Sequence, residues 1–234
     1  MRAALLSLAG LLFAAGCDRP TNRTGAAFTA TGELIALSGG ENGADAACFT
    51  CHGLDGRGDG VSVPRLAGMP VGYLQKQMAD YAQDLRADKV MGPIAKRLSD
   101  ADVRAVAAHY ARMTPAAGDV SATVAPAAYE PCAICHGDQG EGVGEANPSL
   151  AGQPAAYTLE QIDRWRHVHR RNDPKGVMSA AVSELSAPDA QAIAAWLGRQ
   201  SASQPPDTDA ASVSAAASAL ERWAASREAR RPYR

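Results

Sequence analysis

Apolar residues recur every three to four positions over Val103, Val106, Ala107 and Tyr110, behind a Ser99 and Asp102 pair spaced as in a capping box. Ser186 and Asp189 repeat that opening before a second apolar helix pattern. Further helices are expected around 48–52 and 132–136 and from about Pro70 and Pro154. Each half then reads as helix, glycine-rich loop, helix, methionine-bearing loop and last helix. No strand periodicity competes, so the pattern predicts an all-α chain. The stretch 114–128, rich in Pro, Ala and Ser, carries no regular period and reads as a linker.

The plan occurs twice because the sequence repeats itself. Shifted by 84 residues, positions 48–77 match with 14 identities, among them Gly53, Gly56, Gly58 and Gly60 on Gly137, Gly140, Gly142 and Gly144. Pro64, Leu66, Ala67 and Gly68 fall on Pro148, Leu150, Ala151 and Gly152, and Tyr73 and Gln77 on Tyr157 and Gln161. After a three-residue insertion Val90-Met91 falls on Val177-Met178 and Leu98-Ser99 on Leu185-Ser186. This is a duplicated domain. The division is 1–16 signal peptide, 17–32 tether, 33–113 first domain, 114–128 linker, 129–200 second domain and 201–234 tail.

The repeat carries the chemistry. Four of five cysteines lie in Cys48-Phe49-Thr50-Cys51-His52 and Cys132-Ala133-Ile134-Cys135-His136. Thiols one helical turn apart match the two vinyl groups of a haem, and the adjacent imidazole faces its iron. A four-Cys zinc site or a redox dithiol also uses Cys-x-x-Cys pairs, but neither explains a His after both. Two covalently bound haem c groups are therefore expected, on Cys48 and Cys51 and on Cys132 and Cys135, with His52 and His136 as iron ligands. The sixth ligand is chosen by recurrence. Met69, Met78 and Met113 align with Gln153, Ile162 and Gln200, whereas Met91 aligns with Met178. A thioether favours ferrous iron and raises the potential, as suits an electron carrier. The alternative makes both methionines core fillers.

Charge excludes one class of partner. With 23 basic against 25 acidic residues no global field points to nucleic acid. The N-terminus reads as an export signal, with Arg2, an apolar core over 5–15 too short to span a bilayer, and small residues before Cys17. Ala-Gly-Cys at that place predicts lipidation of Cys17, a tether over 18–25 and a periplasmic protein held at the membrane. Ala14 stands where such a site usually has Leu, and plain secretion with an incidental Cys17 is the alternative.

On these motifs the chain resembles the dihaem class I cytochromes c, in particular the cytochrome c4 family, over residues 33–200. The Pro-x-Leu-Ala-Gly segments, and Met seven residues before each final Leu-Ser, carry the resemblance with the haem motifs. It implies two pseudo-symmetric helical domains, proximal His52 and His136, distal Met91 and Met178, and Pro64 and Pro148 carbonyls orienting the imidazoles. It implies single-electron transfer between respiratory redox proteins, from a donor to a terminal oxidase or similar acceptor. Two further readings stay open: a cytochrome subunit bound permanently to a membrane oxidase or dehydrogenase, and a catalytic haem protein such as a peroxidase.

A basic run, Arg164, Arg166, His167, His169, Arg170, Arg171 and Lys175, reads as a docking face for an acidic partner, or as a solvated loop or propionate contact. His167 or His169 is an alternative ligand without a His counterpart in the first half, and His109 a packing residue. The tail reads as disordered or, through Leu220 and Trp223, as a short docking helix.

Overall fold

The computed structural model describes residues 31–115, 124–173 and 175–202. The signal segment, Cys17, nearly all of the tether, the middle of the linker and all but the start of the tail lie outside the described residues.

The first half contains α1 (Gly32–Ser38), α2 (Phe49–His52), α3 (Val71–Ala82), α4 (Met91–Ala95) and α5 (Asp100–Arg112). The second contains α6 (Glu130–His136), α7 (Ala155–Arg166), α8 (Val177–Ser183) and α9 (Ala187–Arg199). Among the described residues pairing between extended segments is limited to two isolated bridges, Arg86 with Arg170 and Val143 with Asn147. The fold is all-α, as the periodicity predicts.

Local chemistry sets the helix starts. Ser99 accepts from the Asp102 N–H while the Asp102 side chain takes the Ser99 N–H, a complete capping box. Ser186 accepts from the Asp189 N–H in the same way. Pro70 and Pro154 precede α3 and α7, where a missing N–H costs nothing. The methionine segments differ from the expected loops: Met91 opens α4, and Met178 is the second residue of α8. The cause is an acidic acceptor upstream of each. Asp88 Oδ1 takes the N–H groups of Val90 and Met91 at 2.9 Å, and Asp173 Oδ2 takes those of Met178 and Ser179 at 2.5 and 3.3 Å.

Each half has its own core. In the first, α1 crosses α5 so closely that a Cβ on Gly32 would lie 2.0 Å from Ala105 O, and Ala36, Met69, Leu74, Ala107 and Tyr110 pack beneath. His109 stacks edge-on against Tyr110 at 5.2 Å, the packing role expected of it. In the second, Tyr129 packs on Trp196 at 4.7 Å with Ile193 and Leu197, and its hydroxyl donates to Gly137 O.

The halves join face to face through residues equivalent under the repeat. Arg86 donates to Gln77 Oε1, Tyr157 Oη and Gln161 Oε1 at 2.7 to 2.9 Å, and Arg170 donates to the same two glutamine oxygens at 3.0 and 3.1 Å. Each guanidinium also covers an equivalent aromatic ring, Arg86 over Tyr81 and Arg170 over Trp165. Outside this layer the charges are exchanged. Lys76 and Asn172 hold Asp80 on one side, whereas Arg164 pairs with Asp88 at 3.0 Å on the other. The contact is thus pseudo-symmetric in shape but fixed in orientation by opposite charge patterns.

Candidate haem sites

The two Cys-His segments end in α2 and α6. Gly53 and Gly137, at φ 78°, close these helices and turn the chain into the glycine loop. That loop returns to the histidine from both sides. Gly58 N–H donates to His52 O at 2.9 Å and Gly142 N–H to His136 O at 2.7 Å. His52 Nδ1 stands 2.9 Å from Pro64 O, and His136 Nδ1 stands 2.9 Å from Pro148 O. A carbonyl can only accept, so both Nδ1 atoms carry the proton and each Nε2 keeps its lone pair free for a metal. Burial pushes both imidazoles down, against the opposing effect of the carbonyl bond, which favours the neutral, ligating form.

A cavity of about 1030 Å³ runs through both halves. Its wall includes Cys48, Cys51, His52 and Met91 from the first half and Cys132, Cys135, His136 and Met178 from the second. The volume lies just above the ~300–1,000 Å³ of a single small-molecule site. All four thiols are free of disulfides. Burial pushes the Cys48 and Cys135 thiols up and Cys132 up to about 11, as for thiols beside an apolar space.

Among the described residues no three His, Cys, Asp or Glu side chains converge on a metal position, so a four-Cys zinc site is not built. The donor set fits haem instead: two thiols, an oriented imidazole and a thioether around an apolar cavity, in duplicate. A second observation agrees. The Nε atoms of Arg65 and Arg86 are buried without a hydrogen-bond partner, and both side chains line the cavity, where the carboxylates of a haem would satisfy them.

Of the other methionines, Met69 Sδ lies 3.8 Å from Gln153 Nε2 and Met113 packs against the first core. Met78 lines the cavity, but Ile162 stands at its equivalent. His167 and His169 are exposed and lie outside the cavity wall. The basic run divides: Arg164 and Arg170 turn into the interface, and Arg166 holds the carbonyls of Val182 and Leu185.

Residues 38–112 match the cytochrome c family, and residues 125–197 match the family described as cytochrome c oxidase, cbb3-type, subunit III. The chain is 39% identical to a thiosulfate dehydrogenase electron acceptor of Stutzerimonas stutzeri, over 73% of this chain and 86% of that one. It is 35% identical to cytochrome c4 of Thiocapsa roseopersicina, over 68% and 89% of the two. The chain belongs to the dihaem cytochromes c of the cytochrome c4 kind. As such it carries two covalently bound c-type haems and is an electron-transfer protein, not a catalyst. The solved structure of reduced recombinant cytochrome c4 from Pseudomonas stutzeri superposes with a TM-score of 0.58 at 27% identity, covering 66% of this cytochrome and 94% of that chain. Thiosulfate dehydrogenase (TsdBA) from Marichromatium purpuratum superposes at 0.60 with 33% identity over 71% of this cytochrome. The cytochrome spans only 39% of that longer chain. Among the described residues no helix is long and apolar enough to cross a membrane.

Of the interface pair Arg86 and Arg170, Arg86 is the one that motif reading passes over, Arg170 standing in the basic run. Its signal is the repeat itself, since the offset that aligns the haem motifs also aligns these two arginines.

Proposed function

We propose that this cytochrome is the electron acceptor of a thiosulfate-oxidising dehydrogenase in the periplasm, passing single electrons on to a respiratory oxidase or similar acceptor. The observation that carries the donor is the 39% identity, over 73% of this chain and 86% of the other, to a relative described as a thiosulfate dehydrogenase electron acceptor. Bound haem supplies one-electron cycling between ferric and ferrous iron. The chain's own residues do the rest: Cys48, Cys51, Cys132 and Cys135 would hold the two groups, and His52 with Met91 and His136 with Met178 would ligate the two irons. Pro64 and Pro148 fix the imidazole planes through the Nδ1–H bonds. Two such side chains on each iron would leave no site there for a substrate, in keeping with the electron-transfer character of the relatives. A lipid on Cys17 tethers the protein beside its partners.

A second reading, a subunit held permanently by the dehydrogenase, is favoured by the coverage of 39% of the longer thiosulfate dehydrogenase chain. The test of the donor is to mix oxidised cytochrome with thiosulfate and a purified thiosulfate dehydrogenase. Reduction of both haems that depends on the enzyme supports the proposal, and an unchanged ferric spectrum overturns it. Co-purification from a detergent extract at a fixed ratio selects the subunit reading over the mobile carrier. Mass spectrometry of the mature N-terminus decides the lipid.

A further inference from the structure

Arg65 is a cation buried where the two halves meet. It is 2% exposed, and no carboxylate among the described residues forms an ion pair with it. One terminal nitrogen donates to Ala67 O in its own loop. The other crosses the interface to Ser149 Oγ at 3.0 Å and Ala151 O at 3.1 Å. Ala67 and Ala151 are equivalent under the repeat, so the guanidinium sits between matching carbonyls of the two halves. Position 149, the equivalent of Arg65, holds Ser, so the repeat supplies one cation here for two sites, unlike the paired Arg86 and Arg170. In return Gln153 enters the first half, accepting from Arg65 N–H and donating to Arg65 O, both at 3.0 Å.

This ties the charge to the two loops that aim the proximal histidines. Arg65 follows Pro64, whose carbonyl holds His52, and its partner Ser149 follows Pro148, whose carbonyl holds His136. Its Nε has no partner within the chain and belongs to a side chain in the cavity wall, where a haem carboxylate would meet it. Burial pushes the guanidinium down to about 10, which leaves it charged at neutral pH.

We propose that Arg65 is a positioning residue common to both haem sites, whose single charge raises the two reduction potentials together and leaves their difference unchanged. A nearby cation disfavours the extra positive charge of ferric iron, and a buried charge is poorly screened by salt. A cation between equivalent carbonyls acts on both irons alike. The proposal rests on His52 and His136 as iron ligands.

The test uses the full-length protein with both haems in place, the two midpoint potentials being read by optical redox titration. In Arg65→Met both potentials are expected to fall in parallel, by about 59 mV each, equivalent to tenfold in the ferric-to-ferrous ratio of a one-electron couple. Arg65→Lys keeps the charge but loses the fork that spans the interface. It should retain both potentials near neutral pH even where thermal stability drops. Raising the pH of Arg65→Lys neutralises the buried ammonium, so both potentials should then step down together, a step absent from the wild type. That step tests the proposal even if Arg65→Met does not fold. Unchanged potentials in Arg65→Met, a shift confined to one haem, or Arg65→Lys at neutral pH behaving as Arg65→Met would overturn the proposal, the last assigning Arg65 a purely mechanical role. The ferric Met-to-iron band of the wild type, recorded in the same titration, reports separately on the ligand assignment.

Discussion

A methyl group added at Gly58 would strike the part of the chain that aims His52. Gly58 has φ 77°, and a Cβ there would lie 2.1 Å from Val63 O and 3.0 Å from Pro64 O. Two costs add in Gly58→Ala. The left-handed backbone costs an L-residue about 1–2 kcal/mol. Displacing a packed backbone segment costs a further ~1–3 kcal/mol. The expected loss is therefore about 2–5 kcal/mol. In a domain of this size each kcal/mol lowers Tm by roughly 4–8 °C, so a fall of about 8 °C or more is expected. The assay is thermal unfolding of the ferric protein, followed by circular dichroism and by haem absorbance. Displacement of Pro64 also strains the His52 bond, so one of the two haems should change its potential while the other keeps it. Gly142→Ala, with a Cβ 2.7 Å from Asn147 O, should act on the other haem. A Tm within about 2 °C of wild type, well inside the expected fall, with both potentials unchanged would refute the claim that the glycine loop positions the histidine.

Other substitutions test neighbouring links. Asp88→Ala removes the acceptor for Val90 and Met91 N–H and the pair with Arg164, so about 0.5–2 kcal/mol should be lost from capping alone. The ferric Met-to-iron band of one haem should weaken, and an intact band would detach Asp88 from Met91. Val168 is exposed and held at φ 60°, so Val168→Gly should raise stability by up to ~1 kcal/mol, measured by denaturant unfolding. A loss there would mean that the turn is unstrained. Asp59 accepts the N–H groups of Val61, Ser62 and Val63, which hold its carboxyl at about 2 instead of 3.8. Because the folded value is depressed, that stabilisation is complete above about pH 4 and is lost as the pH falls through about 2. The Asp59 carboxyl resonance of the ferrous protein should titrate near 2, and a midpoint near 4 would dismiss the loop bonds.

The elements legible in the sequence are those written in short-range chemistry. Ser99 with Asp102 announces α5 because a capping box is made of neighbours, and the Cys-x-x-Cys-His segments announce haem because attachment and ligation need one helical turn. The helical start at Met91 is harder to see. Asp88 acts from three residues upstream, and Gly92 and Pro93 hide the helix from any periodicity. Arg86, Arg164 and Arg170 are charged residues of the kind that usually face water, and only the opposing half turns them into buried partners. The exchange of Arg65 and Gln153 lies where the repeat breaks, at Ser149 and Met69, so comparing the halves conceals it.

The central claim is two haems, each held by a histidine and a methionine, in a protein that carries electrons without binding substrate at iron. A pyridine haemochrome count, combined with the near-infrared Met-to-iron band of the ferric protein and exposure of the ferrous protein to carbon monoxide, tests it most directly. Two haems are expected, with a band that falls to half in each single variant, Met91→Ala or Met178→Ala, and no reaction of the wild type with carbon monoxide. A single haem, or a wild-type band absent with carbon monoxide bound, would contradict it.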